Sequence, residues 1–271
     1  YLKKMNWEVD FLRGPLSSKK LIPIIGRYDG VICGDDNFNK NVLEAASFGL
    51  TKCISKYGVG LDRIDLKHAR LNNIKIKNCA GINSNSVAEH VFALLLTFKK
   101  NIHFEYTKTR SGIWPRTLGS EINGYNFGIL GLGNIGKKVS SLAKAFGSNV
   151  YYYDKTEENS FAKKNGLRKC NSINELFSKS DVISINLNLN EKNVHIVSED
   201  VIKNYAKKNI IIINTARGKL VEESAIVYGL RKKIISGYLA DVTEEEPINP
   251  KSKLLSFKNV IITSHIASKT I

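Results

Sequence analysis

A chain of 271 residues, 42% hydrophobic and 24% charged, is long enough for two compact domains and too apolar to remain disordered. Its longest apolar stretches, residues 91–98 and 210–213, fall far short of the roughly 20 residues that span a bilayer. Tyr1 opens no signal peptide, so no membrane partner and a cytoplasmic location are expected. The net charge of +16 is scattered over short pairs such as Lys3–Lys4, Lys137–Lys138 and Lys207–Lys208, which predicts solvated faces rather than a nucleic-acid partner.

From Gly30 onward, short β-branched runs alternate with helix-like segments, the pattern of an α/β protein with a parallel sheet. Residues 31–33 read as a strand, 39–48 as a helix, 51–55 as the next strand and 66–71 as a short helix, while 74–76 alternates like a strand edge. These pieces predict a first, small doubly wound unit. At Asn83-Ser84-Asn85-Ser86, capping residues precede a run over 87–100 whose apolar positions 87, 88, 91, 92, 94, 95, 96 and 98 predict a nearly buried helix. The domain crossover is placed there. His90, inside that helix, is expected to be a hydrogen-bonded core histidine, and Trp114, in the polar stretch that follows, a packing anchor. A second α/β series then begins, with strands expected at 126–130, 150–153, 182–186, 210–214, 237–241 and 260–263.

Four cysteines lie far apart with no C-x-x-C pair, so no metal site is expected and the thiols should be reduced and mostly buried.

The strongest local motif is Gly131-Leu132-Gly133-Asn134-Ile135-Gly136, which follows one apolar strand and opens the helical run 137–146. In such a G-x-G-x-x-G the first glycine permits a tight turn, the second lets backbone amides approach a pyrophosphate, and the third allows close packing of helix on strand. The helix N-terminus adds N–H groups and a positive dipole end. Asp154, 23 residues after Gly131 at the end of the next apolar run, can bind both ribose hydroxyls and would repel a 2′-phosphate, so NAD is expected in preference to NADP.

Three later strand ends carry polar groups where open α/β sheets bind ligands. Arg217, in Asn214-Thr215-Ala216-Arg217-Gly218, can grip a carboxylate bidentately. Asp241-Val242-Thr243-Glu244-Glu245-Glu246-Pro247 follows the next strand and Ser264-His265-Ile266-Ala267 the one after. Hydride transfer to a ketone needs an acid and its reverse a base; an imidazole serves both, and a neighbouring carboxylate fixes its tautomer. Glu246 and His265 fit those roles, whereas Glu244 and Glu245 are expected to be solvated neighbours.

Together with Lys56-Tyr57-Gly58-Val59-Gly60-Leu61-Asp62 and residues 83–90, these segments form an ordered series that resembles the D-isomer-specific 2-hydroxyacid dehydrogenase family from about Tyr28 to Ser268. The resemblance implies a flavodoxin-like substrate domain over residues 1–80 and a Rossmann NAD-binding domain over 81–268. It implies that Arg217 binds the carboxylate and keto oxygen of a small 2-hydroxy or 2-keto acid, that His265 is the acid/base and that Glu246 pairs with it. Asp241 would contact the nicotinamide amide, Thr215 and Ala216 would line its ring, and Asn134 and Ile135 would bracket the pyrophosphate. Gly58, Val59 and Gly60 would offer backbone N–H groups to the substrate. Glu246 separates the chain from formate dehydrogenase, which has Gln there. A homodimer is implied through residues 87–120. So are a further strand and helix before this sequence and a helix returning to the first domain after it, so that Tyr1 to Ile271 is expected to be a fragment. The family usually has Pro where Ala80 and Ser264 stand, and His-x-Pro-Leu-Thr where this chain reads Asn186-Leu187-Asn188-Leu189-Asn190. The competing function is a dinucleotide-sensing, corepressor-like binding module of the same fold.

Overall fold

The computed structural model describes residues 2–155 and 160–270. The chain divides between Ile82 and Asn83 into two compact units, each α/β with a parallel sheet.

In the smaller unit, β1 (Gly30–Cys33), β2 (Cys53–Lys56) and β3 (Lys75–Asn78) pair in that order. The crossovers are the helices Lys40–Ser47 and Leu66–Leu71, each started by a side-chain cap: Asn39 accepts from the Val42 N–H and Asp65 from the His68 N–H. Phe38, Val42, Leu43 and Ile54 form the centre of its core. Lys56 is buried at the end of β2, and its ammonium donates to the Gly34 carbonyl at 2.5 Å and to Asp35 at 2.8 Å. These bonds offset the cost of burying the charge.

Among the described residues the larger unit holds seven strands: β4 (Asn126–Leu130), β5 (Asn149–Tyr153), β6 (Arg168–Lys169), β7 (Val182–Ile185), β8 (Ile210–Asn214), β9 (Ile235–Ala240) and β10 (Val260–Ile262). Their spatial order is β10-β9-β8-β7-β4-β5-β6, and every pairing is parallel. The order reverses between β4 and β7. At such a switch point the two crossover chains leave on opposite faces, and a crevice opens outside the carboxyl ends of the strands. Strands β7 and β8 are buried at every position, which is why Ile210 to Ile213 reads as an unbroken apolar run rather than an alternation.

Two cores sandwich this sheet. One gathers Phe177, Ile202, Ile212, Ile226 and Tyr238, the other Val91, Phe92, Phe127, Val139 and Leu239. The helix Ser84–Lys99 belongs to the second, packing against β8, β9 and the helix Asn134–Ala145. Gly237 admits this close approach, because a Cβ there would lie 2.7 Å from the Phe98 ring.

Among the described residues, sequence periodicity omits five helices of this unit. Three lack length, Ile173–Lys179, Glu199–Asn204 and Ser160–Lys164, and Ile102–Arg110 has no buried face, while Glu223–Arg231 is amphipathic but sits between two strands that dominate the pattern. The first of these was signalled in the residues: Ser172 accepts from the Glu175 N–H, and Glu175 reaches back to the Asn171 N–H, a close variant of the capping box. The two-residue strand β6 is exposed and polar, so no pattern marks it. Trp114 is not the packing anchor expected of it; it stands 75% exposed.

Phe177 is fully buried between helix and sheet. Replacing it with Ala should remove about 3–5 kcal/mol of stability by leaving a cavity; the check is the urea midpoint, with the slope unchanged.

Candidate active site

The glycine fingerprint lies at the switch point, directly after β4. Gly131 has φ +94°, and a Cβ there would come within 2.9 Å of the Asn186 carbonyl oxygen, so both conformation and space demand glycine. At Gly136 a Cβ would lie 2.1 Å from the Gly131 oxygen, which fixes the close approach of helix to turn. A Cβ on Gly133, by contrast, would meet nothing within 4 Å, so its surface is open. Gly133 is also the N-cap of the helix Asn134–Ala145 and gives it no side-chain cap. The helix therefore starts with backbone N–H groups that no capping side chain satisfies, next to an open approach. Asn134 and Ile135 form its first turn.

Asp154 follows the end of β5 and accepts from the Leu132 N–H at 2.7 Å. Its carboxylate is thereby tied to the fingerprint turn. The segment 186–190 beside that turn is braced by asparagines: Asn193 accepts from the Asn190 N–H and donates to the Asn188 carbonyl, both at 2.7 Å. Asn193, a buried residue, is thus a supporting group that motif reading did not find.

After β8, Asn214 organises its own loop by donating to the Arg217 carbonyl at 2.9 Å and accepting from the Ala216 N–H at 3.1 Å. Tyr238 bonds the Asn214 side chain, and its burial drives the phenol pKa upward. Arg217 directs Nη1 to the Ala216 carbonyl at 2.7 Å, an intraloop bond that uses one of five guanidinium donors. Thr215 Oγ1 is buried with no hydrogen-bond partner, as are Asn83 Oδ1 and Ser84 Oγ at the start of the helix Ser84–Lys99. Buried hydroxyls normally find partners, so Thr215 Oγ1 marks a place where a polar ligand group fits. Together with the open Gly133 and the uncapped helix, it makes these residues suited to a dinucleotide.

The loops after β8 and β9 are in direct contact. A Cβ on Gly218 would lie 1.9 Å from the Thr243 oxygen and 2.4 Å from the Glu244 nitrogen, so any other residue would force apart the loops bearing Arg217 and Glu246. Glu244 is not the solvated neighbour expected of it: it accepts from the Glu223 N–H at 2.8 Å while Glu223 accepts from the Glu244 N–H at 2.9 Å. Burial, opposed by the Glu244 N–H and reinforced by the Glu244 and Glu245 charges, raises the pKa of Glu223.

His265 and Glu246 meet directly. Nδ1 of the imidazole lies 2.9 Å from Glu246 Oε2, and Glu246 Oε1 accepts from the Thr243 N–H at 3.3 Å. Both side chains are about one-third exposed, at 34% and 31%. His265 has φ +56°, a left-handed conformation costing a non-glycine residue of order 1–3 kcal/mol, which the surroundings must hold in place. They do so through Asp241, whose side chain is only 1% exposed. Its Oδ1 accepts from Thr263 Oγ1 at 2.5 Å and the Ile266 N–H at 2.9 Å, its Oδ2 from the Ala267 N–H at 2.7 Å, and its carbonyl from the His265 N–H at 2.8 Å. Asp241 thus serves the chain's own donors in this structure.

In the smaller unit, Gly58 has φ +130° and its carbonyl accepts from the Cys79 N–H at 3.0 Å, while the Val59 carbonyl accepts from Asn78 at 2.7 Å. The loop of Gly58, Val59 and Gly60 is therefore anchored by its carbonyls. Among the described residues no group of His, Cys, Asp and Glu could hold a metal, and no helix is long and apolar enough to cross a membrane.

Comparison with known proteins identifies the family. Residues 92–267 match the model of the D-isomer specific 2-hydroxyacid dehydrogenase NAD binding domain. A glyoxylate reductase of Aeropyrum pernix is 35% identical over 228 residues, covering 81% of this chain and 68% of that protein. A glyoxylate reductase of Korarchaeum cryptofilum is 31% identical over 272 residues, covering 97% and 81%. The solved structure of the TT0316 protein from Thermus thermophilus superposes with a TM-score of 0.89 at 30% identity, over 99% of this chain and 86% of that one. An α/β dinucleotide-binding fold with its glycine turn at the switch point, a His–Glu pair at two strand ends, and these relatives lead to one conclusion: the chain belongs to the D-isomer specific 2-hydroxyacid dehydrogenase family, an oxidoreductase family of 2-hydroxy acids.

Proposed function

We propose that this protein reduces a small 2-keto acid to the D-2-hydroxy acid with NADH, and that glyoxylate is the first substrate to test. The observation that carries the reading is the 2.9 Å contact between His265 Nδ1 and Glu246 Oε2 at the carboxyl ends of neighbouring strands of a dinucleotide-binding sheet. The similarity to glyoxylate reductases supports the substrate class.

A bound nicotinamide supplies the hydride that adds to C2 of the keto acid. Residue roles follow from chemistry. Glu246 accepts from Nδ1, which fixes the tautomer and favours the imidazolium, so the proton delivered to the developing alkoxide leaves from Nε2. In the reverse direction Nε2 takes the proton from the hydroxyl. Arg217 binds the substrate carboxylate and polarises the keto oxygen, its fork geometry setting the orientation of C2. Gly133, Asn134, Ile135 and Gly136 would hold the pyrophosphate on backbone N–H groups, while Gly131, whose own N–H donates to the Tyr153 carbonyl at 2.9 Å, makes the turn; Asp154 would bind the ribose, and Thr215 and Ala216 would border the nicotinamide. A carboxylate has about four acceptor positions. Three of Asp241's are occupied by Thr263, Ile266 and Ala267, leaving the second position of Oδ2 for a carboxamide N–H.

We place the protein in the cytoplasm, a location that suits its free thiols, two of them buried. Its working form is proposed to be a homodimer. The helix Ile102–Arg110 buries none of its residues, and with the segment after it leaves Ile102, Tyr106, Ile113, Trp114 and Leu118 exposed, the last at 95%. An apolar patch of that kind marks an association surface.

Three expectations follow from these assignments. His265→Gln should lower turnover of glyoxylate about 10²–10⁴-fold, the usual contribution of a general acid, while NADH fluorescence titration shows unchanged affinity; retained turnover would remove His265 from the mechanism. Tight NADH binding without oxidation by any 2-keto acid would favour a dinucleotide-sensing binding module instead. The unaltered enzyme should prefer NADH to NADPH, and Asp154→Ala should shrink that preference by at least about tenfold, or 1.4 kcal/mol, by removing repulsion of the 2′-phosphate. Light scattering should report a dimer that Leu118→Glu converts to monomer; a monomeric parent would refute the dimer.

A further inference from the structure

The loop that carries His265 is held from two sides, and only one of them is the strand-end carboxylate. On the other side stands the helix Ser84–Lys99, in the same unit. Ser86 donates its hydroxyl to the Ala267 carbonyl at 2.5 Å, and His90 Nε2 lies 2.9 Å from Thr263 Oγ1. Thr263 is the junction. Its hydroxyl has a single proton, and its contact with Asp241 Oδ1 at 2.5 Å takes that proton, because an ionised carboxylate only accepts. The contact with His90 is then made through the oxygen's lone pair, so His90 must carry a proton on Nε2. The same nitrogen is 3.5 Å from Asp241 Oδ1, so its N–H dipole also faces the buried carboxylate.

We propose that Thr263, held by His90, is a positioning residue for the acid/base histidine. The chain of bonds runs from His90 Nε2–H to Thr263 Oγ1, from Thr263 to Asp241 Oδ1, and from Asp241 to the N–H groups of Ile266 and Ala267. Those last two bonds fix the backbone immediately after His265. With the bond from the His265 N–H to the Asp241 carbonyl, they keep His265 at φ +56° and so aim its Nδ1 at Glu246. Without the Thr263 hydroxyl, the carboxylate loses the shortest of its hydrogen bonds, and its hold on the left-handed turn at His265 weakens. Thr263 and His90 touch neither substrate nor cofactor in this scheme; they act through the loop. The helix Ser84–Lys99 thereby takes part in the chemistry as a wall that orients a proton donor, a role its apolar pattern does not suggest. The inference rests on the assignment of His265 as the acid/base.

The test compares Thr263→Val, which keeps the shape and removes the hydroxyl, with Thr263→Ser, which keeps the hydroxyl. Thr263→Val should lower kcat with glyoxylate by ~10²-fold, the usual effect of displacing a reacting group by about 1 Å. The KM for glyoxylate and the NADH affinity should stay within about threefold, and Thr263→Ser should restore most of kcat, since a general loss of folding would depress all three together. A crystal structure of Thr263→Val should show His265 out of the left-handed region and Nδ1 withdrawn from Glu246. If Thr263→Val does not fold, His90→Leu interrupts the same chain one bond earlier and should lower kcat in the same selective way, while His90→Gln, which can present an N–H in place of Nε2, should recover it. Undiminished kcat in Thr263→Val, or a His265 left on Glu246 in its crystal structure, overturns the proposal. His265→Gln is measured beside these variants: retained turnover there defeats the acid/base assignment, whereas lost turnover there with normal turnover in Thr263→Val defeats only the positioning role.

Discussion

A carboxylate cannot be buried without donors, and the end of β9 is built around that constraint. Asp241 is almost wholly removed from solvent, and an ionised group in that setting is tolerated only when its oxygens are satisfied. The donors come from the segment after β10, so satisfying Asp241 dictates the path of residues 263–267. That path turns through a left-handed residue, and the residue at the turn is His265. The geometry of the His265–Glu246 pair is in this sense a consequence of solving an electrostatic problem one strand away.

The same logic of backbone groups governs the other end of the site. The helix Asn134–Ala145 begins without a side-chain cap, and the glycines that introduce it are required for different reasons, Gly131 by its dihedral angle, Gly136 by contact and Gly133 by neither. Gly133 is the position where a side chain would cost the free chain nothing, so its need for glycine is understood only with a ligand in view. Gly218 gives a third kind of constraint, because it lets two loops touch backbone to backbone and so carries Arg217 alongside the segment that ends in Glu246. The loops after β8, β9 and β10 are therefore a single interlocked set rather than three independent tips.

Where sequence reading departed from the structure, the causes are specific. Trp114 looked like an anchor because a tryptophan between Gly112 and Pro115 normally packs, yet it stands exposed after a helix that buries none of its residues. Glu244 looked solvated because it stands in a run of three glutamates, yet its carboxylate meets the first turn of the helix Glu223–Arg231, a contact between residues 21 apart in the chain. Asn193 gave no signal at all, since an asparagine bracing a loop is indistinguishable in sequence from one facing water.

The sequence by itself determined the parallel α/β class, the order of the principal strands, the glycine turn with its acidic partner, and the three strand ends that bear Arg217, Glu246 and His265. It could do so because those features depend on local periodicity and on residue types whose conformational demands are strong. Only the tertiary structure decided that the expected His265–Glu246 pair closes through Nδ1 and Oε2, that Asp241 is the buried hub of their loop, and that Ser86 and His90 reach that loop from a helix more than 170 residues earlier in the chain. These are hydrogen bonds between groups with no spacing rule to announce them. They exist because the parallel sheet sets its strand ends side by side, and because a buried polar group must find its partner wherever the fold has placed one.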